Sequence, residues 1–312
     1  MFFLDGFESE EEWNKYEELI SNLSHFVGDC VRYLIEAYSV AQLGSAQDKC
    51  YSHATVLMLS RHIIESIDGV SVLVERGCAQ NCGPLLRSAL EGQLGVLYIL
   101  EADSQRRGLS YQVAHAHRKI KSYRKLDPND PLGMQFRAEL KDDPMADVFD
   151  QIPGNLPMMI ANLESMFMKP EFAPIEQEWQ ATRKNSNNKD PEWFALFGGP
   201  RAVRSLAFHL KLGAAYEGLY RHWSDVIHAG SGLNHVGASN EPGKIHIRPI
   251  RHPDGLETAC SLAAQICLHT AQRLVQKYGP EKWEDFQQTY ISKLEPIHTQ
   301  VCKGNLIHAP WH

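Results

Sequence analysis

Pro84-Leu85-Leu86-Arg87-Ser88-Ala89-Leu90-Glu91-Gly92-Gln93-Leu94-Gly95-Val96-Leu97-Tyr98-Ile99-Leu100 is apolar nearly all the way round a helix, and Arg87 and Glu91 are its only charges. A helix of that kind is buried on most sides. It therefore needs other helices around it, and the sequence supplies them in both directions. Asn81-Cys82-Gly83-Pro84 reads as the turn that opens it, with Pro in the first helical turn, and the helix runs to about Ala102. Upstream, about Gln47 to Arg76 carries the stripe Ala54, Leu57, Ile63, Ile64, Ile67, Val70, and Gly77 follows as a stop. Further back, Tyr16, Leu19, Leu23, Phe26, Val27, Cys30, Tyr33, Leu34 and Ala37 mark one long helix, or two joined near Gly28, over about Ser9 to Leu43.

Downstream, a fourth helix covers about Leu109 to Leu126. Nine of the sixteen prolines then fall between 128 and 200, which predicts short helices and long loops forming an insertion or lid. Helix resumes over about Arg201 to Ala229. Residues 230–256 are rich in Gly, Asn and Pro, and Lys244–Ile250 alternates Ile with polar groups as a strand does. Two helices, about Leu256 to Tyr278 and Pro280 to Cys302, close the chain. No internal repeat is visible. The expected fold is all-α: a helical bundle with an irregular Pro-rich insertion and at most one short β-hairpin. It is read as a single helical domain over 1–312, with N-terminal helices (1–127), the insertion (128–200) and C-terminal helices (201–305).

Composition narrows the function classes. The 312 residues carry 31 Lys+Arg against 38 Asp+Glu, a net charge of -7, so a surface basic throughout is excluded and only a local basic cleft remains for nucleic acid. Charged and amide side chains interrupt every apolar run before the roughly 20 residues a membrane span needs, so no membrane partner is expected. The acidic start (Glu8, Glu10, Glu11, Glu12) does not look like a secretory signal, which leaves a cytoplasmic protein as the expectation. Seven cysteines at wide spacings read as free thiols in helical patterns. Cys78 and Cys82 lack the second Cys or His pair a zinc site needs. Phosphate-loop, dinucleotide, His-Glu-x-x-His and G-x-S-x-G motifs are all missing, so no cofactor or metal is implied.

Three segments carry polar groups where chemistry is plausible. On a helix through Tyr216–Gly230, Leu212, Ala215, Tyr216, Leu219, Trp223 and Val226 share one side. Glu217, Arg221, Ser224, Asp225 and His228 gather within a third of the circumference on the other. Such a face is either a solvated one laced by i,i+4 pairs or a set of acid, base and hydrogen-bonding groups turned to a recess. On the 84–100 helix, Arg87 and Glu91 sit four apart with Leu94 and Tyr98 continuing their face. They form either an ion pair joining helices or the floor of a polar pocket. On the fourth helix, Tyr111, His115, Arg118 and Ser122 share a face in the most basic and aromatic stretch of the chain, either a solubilising surface or an anion-attracting wall. His115 and His117 lie about 200° apart on a helix, which argues against joint chelation.

Arg221-His222 followed by His228 resembles the R-x(4–6)-H motif of HEPN ribonucleases, in which a polar residue often follows the arginine. Arg204/His209 is a second match, its histidine set in an apolar run. The wider layout resembles a bacterial family of unknown function related to that all-helical group. The residues carrying the resemblance are Leu86–Glu91 with Tyr98, then Tyr220 through Ser224 to His228-Ala229-Gly230, and it spans about 85–230. The resemblance implies a metal-independent endoribonuclease at a cleft between two subunits, of the kind found in antiviral defence or toxin systems. Arg221 would bind the scissile phosphate with its fixed fork of donors, and His228 would move protons. Asp225 or Glu217 would orient the imidazole, with Ser224 alongside. The rival expectation is a non-catalytic module. In it Arg87, Glu91, Tyr98, Tyr220, Arg221, Ser224 and His228 line a pocket for a small anion or nucleotide, or the 128–200 insertion recruits a protein partner.

Overall fold

A computed structural model of the protein describes residues 10–46, 50–151, 154–220, 236–238, 245–247, 251 and 254–302. In chain order its helices are α1 (Glu10–Ser45), α2 (Tyr51–Glu75), α3 (Cys82–Glu101), α4 (Ser104–Leu126), α5 (Pro131–Glu139), α6 (Leu156–Phe167) and α7 (Ala173–Asn185). They continue as α8 (Val203–His209), α9 (Gly213–Ala215), α10 (Leu256–Tyr278), α11 (Trp283–Thr289) and α12 (Glu295–Cys302). The fold is all-α. Strands β1 (Val236–Ala238) and β2 (Ile245–Ile247) pair antiparallel in the register Val236↔Ile247 and Ala238↔Ile245, the one short pairing the alternation of Ile allowed.

The chain divides into two compact units, residues 103–206 and the remainder. The sequence put the insertion at 128–200; the observed break lies earlier, at Asp103, so α4 belongs with the Pro-rich segment. Asp103 itself sits in the left-handed region (φ 45°) between α3 and α4, a sharp turn with no Gly or Pro to announce it.

In the first unit, α1 packs on α2 and α10, α2 on α3, and α3 on α10. Thirteen of the twenty residues of α3 are buried, as its apolar circumference requires. Phe26, Leu34, Ile63, Ile67, Leu86, Leu90, Leu94, Leu256 and Leu262 are fully buried. Gly92 allows the close crossing of α2 and α3: a Cβ there would lie 3.0 Å from Ile63 Cγ1. The Gln93 amide, buried in the same helix, donates to the Ile266 carbonyl at 3.2 Å and the Thr270 hydroxyl at 3.5 Å, both on α10. That satisfaction is what makes an amide tolerable in such a core.

In the second unit, α4 packs against α5, α6, α7 and a 3-10 turn at Trp193–Gly198. Asp130 caps α5 by accepting from the Leu132 N–H at 2.8 Å, with Pro131 in the first turn. Leu109, Val113, Ile175, Trp179, Trp193 and Phe194 are buried there.

The continuous helix expected over 201–229 is corrected. The helix stops at His209, where Lys211 adopts φ 61° and the Leu212 and Lys211 N–H groups donate to the carbonyls of Ala207 (2.8 Å) and Phe208 (3.1 Å). This is the Schellman closure, with Lys where Gly usually stands. The chain restarts as α9 and passes into a π-helical turn over Tyr216–Tyr220. A π turn advances each residue by less than the 100° of an α-helix, so the face drawn from Leu212 onward is not one straight α-helical stripe.

Candidate functional site

The polar groups of the first unit gather along one edge of α3. Arg87 Nε lies 3.3 Å from Glu91 Oε1, one turn along the same helix, with the two side chains 23% and 44% exposed. The pairing expected from their spacing is present. The deep burial expected of both is not, because Glu91 reaches the surface. Their neighbour Ser88 holds His62 of α2, Nε2 to Oγ 2.8 Å. Beside it on α2, Arg61 and Glu65 pair at 2.9 Å. Farther along, Tyr98 is buried and meets the His209 ring edge-on at 5.8 Å, and His209 Nε2 lies 2.8 Å from Glu101 Oε2. The break after α8 follows directly on this imidazole. Arg87, Glu91, Glu101 and Ser88, with His209 and His62 as partners of the last two, thus give one arginine, two histidines, two carboxylates and a hydroxyl along a helix that is mostly core. His62, Ser88 and the Glu101–His209 pair were not singled out as site residues. Ser88 falls in the Leu86–Glu91 stretch that carries the resemblance and His209 in the second R-x(4–6)-H match, whereas His62 and Glu101 carry no sequence signal of a site.

Glu217 lies in the π turn, and the backbone of Tyr220 ends it. Arg221, Ser224, Asp225 and His228, the expected catalytic set, lie outside the described residues.

Tyr111, His115 and Arg118 belong to the second unit. Tyr111 and His115 do share a face, their rings parallel at 6.1 Å, and Tyr111 also meets Trp193 edge-on at 5.5 Å. Desolvation first, and then Lys119 and Arg118, pull the His115 pKa down, so near neutral pH its imidazole is uncharged. His117 points to other partners. It is sandwiched between Trp179 at 3.6 Å and Phe167 at 4.5 Å, with Nε2 2.6 Å from Glu176 Oε2. The two histidines therefore serve different contacts, in keeping with their angular separation. Among the described residues no group of three His, Cys, Asp or Glu side chains is placed to hold a metal ion. Cys82 is buried, and that burial, with Cys78 nearby, pushes its thiol up to about 12, the behaviour of an inert core cysteine. No described helix is long and apolar enough to cross a membrane.

No curated protein and no solved structure matches this chain. Its membership is given by the helices that carry the polar edge: the chain belongs to a family of unknown function, DUF5677, whose model matches residues 53–245, from the first turn of α2 to the first residue of β2.

Proposed function

We propose that the protein is a HEPN-like, metal-independent endoribonuclease acting on RNA at a cleft between two copies of the chain, in an antiviral defence or toxin setting. The observation that carries the reading is the polar edge of α3. Charged and hydrogen-bonding side chains on a helix otherwise committed to the core are tolerated where a site needs them, and Arg87 is held in place by Glu91 of the same helix. The π turn ending at Tyr220 comes immediately before Arg221, and π turns recur at functional sites. In this reading Arg221 binds the scissile phosphate and stabilises the charge that develops on it. His228 takes and returns protons, with an ordinary pKa near 6.5 suited to that work. Ser224 and Asp225 complete the set, and Arg87 and Glu91 with Tyr98 form the wall behind it.

The test is incubation of the pure protein with structured and unstructured RNAs beside the Arg221→Ala/His228→Ala double variant. Cleavage by the natural chain in chelator, lost in the double variant, supports the proposal. Equal cleavage by both, or none by either, rejects it. Sedimentation tests the pairing of copies separately.

A second reading, a non-catalytic module for a small anion, nucleotide or protein partner, is favoured by the exposed methionines of the second unit, Met134, Met145, Met158 and Met168. Thioether side chains are adaptable at binding surfaces. A nucleotide at 100 times its dissociation constant would stabilise the fold by about 2.7 kcal/mol, which a thermal-shift screen detects without any cleavage.

A further inference from the structure

The second unit contains a cavity of about 460 Å³ between the end of α7, the loop after it and the turn that closes on Gly199. It lies wholly within 103–206 and shares no residue with the α3 edge. The volume is that of a small-molecule site. Its charges fall into two classes. Asp190 is already engaged, with Lys121 Nζ at 2.9 Å and Arg183 Nε at 3.2 Å from its carboxylate. Lys189, Arg201 and Glu192 also line the cavity, and among the described residues their side chains have no ion-pair or hydrogen-bond partner. Asn185 and Ser186 add an amide and a hydroxyl that are equally unengaged. On the far wall, Gly198 has φ 75°, and a Cβ built there would meet nothing within 4 Å, so that wall is open backbone.

We propose that this cavity is a binding site for a small phosphate monoester. Lys189, Arg201, Lys121 and Arg183 against Asp190 and Glu192 leave a net charge of about +2, which matches the roughly two negative charges of a monoester near neutral pH and exceeds that of a monocarboxylate. The planar fork of Arg201 donates to two phosphate oxygens at once, while Lys189 acts as a point charge. Glu192 is the acceptor for a hydroxyl or amino group on the body of the ligand, and Asn185 and Ser186 supply further polar contacts. In a chain of net charge -7, a recess whose two carboxylates, Asp190 and Glu192, are outnumbered by Lys121, Arg183, Lys189 and Arg201 is a local positive site. The ligand carries its phosphate on either a sugar or a nucleoside; both present hydroxyls to Glu192.

The experiment is calorimetric titration of the full chain with glucose 6-phosphate, AMP and inorganic phosphate, with glucose and adenosine as phosphate-free controls. Saturable binding of at least one monoester, absent for the controls, is expected. The Lys189→Ala/Arg201→Ala variant should weaken it at least tenfold, with the unliganded Tm unchanged because neither side chain holds a partner. Glu192→Gln should weaken the monoester without weakening inorganic phosphate, and the preferred monoester tells sugar from nucleoside. Hydrogen exchange should place the protection within 182–201. No saturable binding of any monoester, undiminished binding by the double variant, or protection confined to other segments overturns the proposal. The Arg221→Ala/His228→Ala chain should bind as the natural one does, so this outcome and that of the RNA assay are independent.

Discussion

The two units hold themselves together by different means. In the first, α1, α2, α3 and α10 bury long apolar stripes, and the Gln93 amide inside is held by α10. The second has shorter helices, and its centre includes aromatic rings in contact with a hydrogen-bonded pair: His117 between Phe167 and Trp179, with Glu176 at its edge. Gln180 donates to the other Glu176 oxygen at 2.6 Å, which keeps that carboxylate oriented. Stripes bury area without direction, so the first unit tolerates exchange of similar apolar residues. A sandwich with a hydrogen bond at its rim has one geometry, and the second unit depends on particular side chains.

The largest test of that contrast is Phe26→Ala, which removes a fully buried ring from the first unit. It should cost about 3–5 kcal/mol, read as faster exchange of the amides of α1, α2 and α10. His117→Ala should cost the second unit about 1–3 kcal/mol through the lost stacks and the stranded Glu176 carboxylate. His117→Phe should recover the part due to stacking alone. Full recovery would show that the carboxylate contributes nothing and would erase the contrast.

A smaller effect concerns pH and sits in the first unit. His269 on α10 is pulled down to about 4, mainly by desolvation and then by Arg273. The folded state keeps it neutral while the unfolded chain takes up a proton near 6.5, so stability from this group is present above about pH 6.5 and is lost as pH falls toward 4. Urea midpoints should therefore drop between those values by an amount equivalent to about 2–3 kcal/mol. His269→Leu should flatten that slope. The smallest effect has the opposite sign. Lys211→Gly relieves a left-handed residue and should raise stability by about 0.5–1 kcal/mol, measured by the same urea titration.

That last residue explains where sequence reading stopped. After α2, Gly77 has φ 69°, and the Cys78 and Gly77 N–H groups donate to Leu73 and Val74, both at 2.9 Å. After α8, Lys211 and Leu212 make the same closure. The first end was visible because Gly advertises a left-handed residue; the second was hidden because Lys does not. The helical face over 217–228 assumes an unbroken α-helix; its described part, up to Tyr220, is a π turn, and the rest lies outside the described residues. Arg87 and Glu91 were legible as a pair because i,i+4 spacing is local. Their neighbours His62 and Ser88 were not, since 26 positions separate them in the chain.

The sequence by itself determined the helical class, the extent of α2, α3 and α10, the position of β2 and the pairing of Arg87 with Glu91. Each of these follows from periodicity or spacing within a few turns of one chain segment. Only the tertiary structure decided that α4 joins the Pro-rich segment, that His117 is enclosed by Phe167 and Trp179, that His209 meets Glu101, and that Lys189, Arg201 and Glu192 ring a cavity. Those arrangements depend on which surfaces meet when helices pack, and side chains far apart in sequence carry no local mark of the partner they will find.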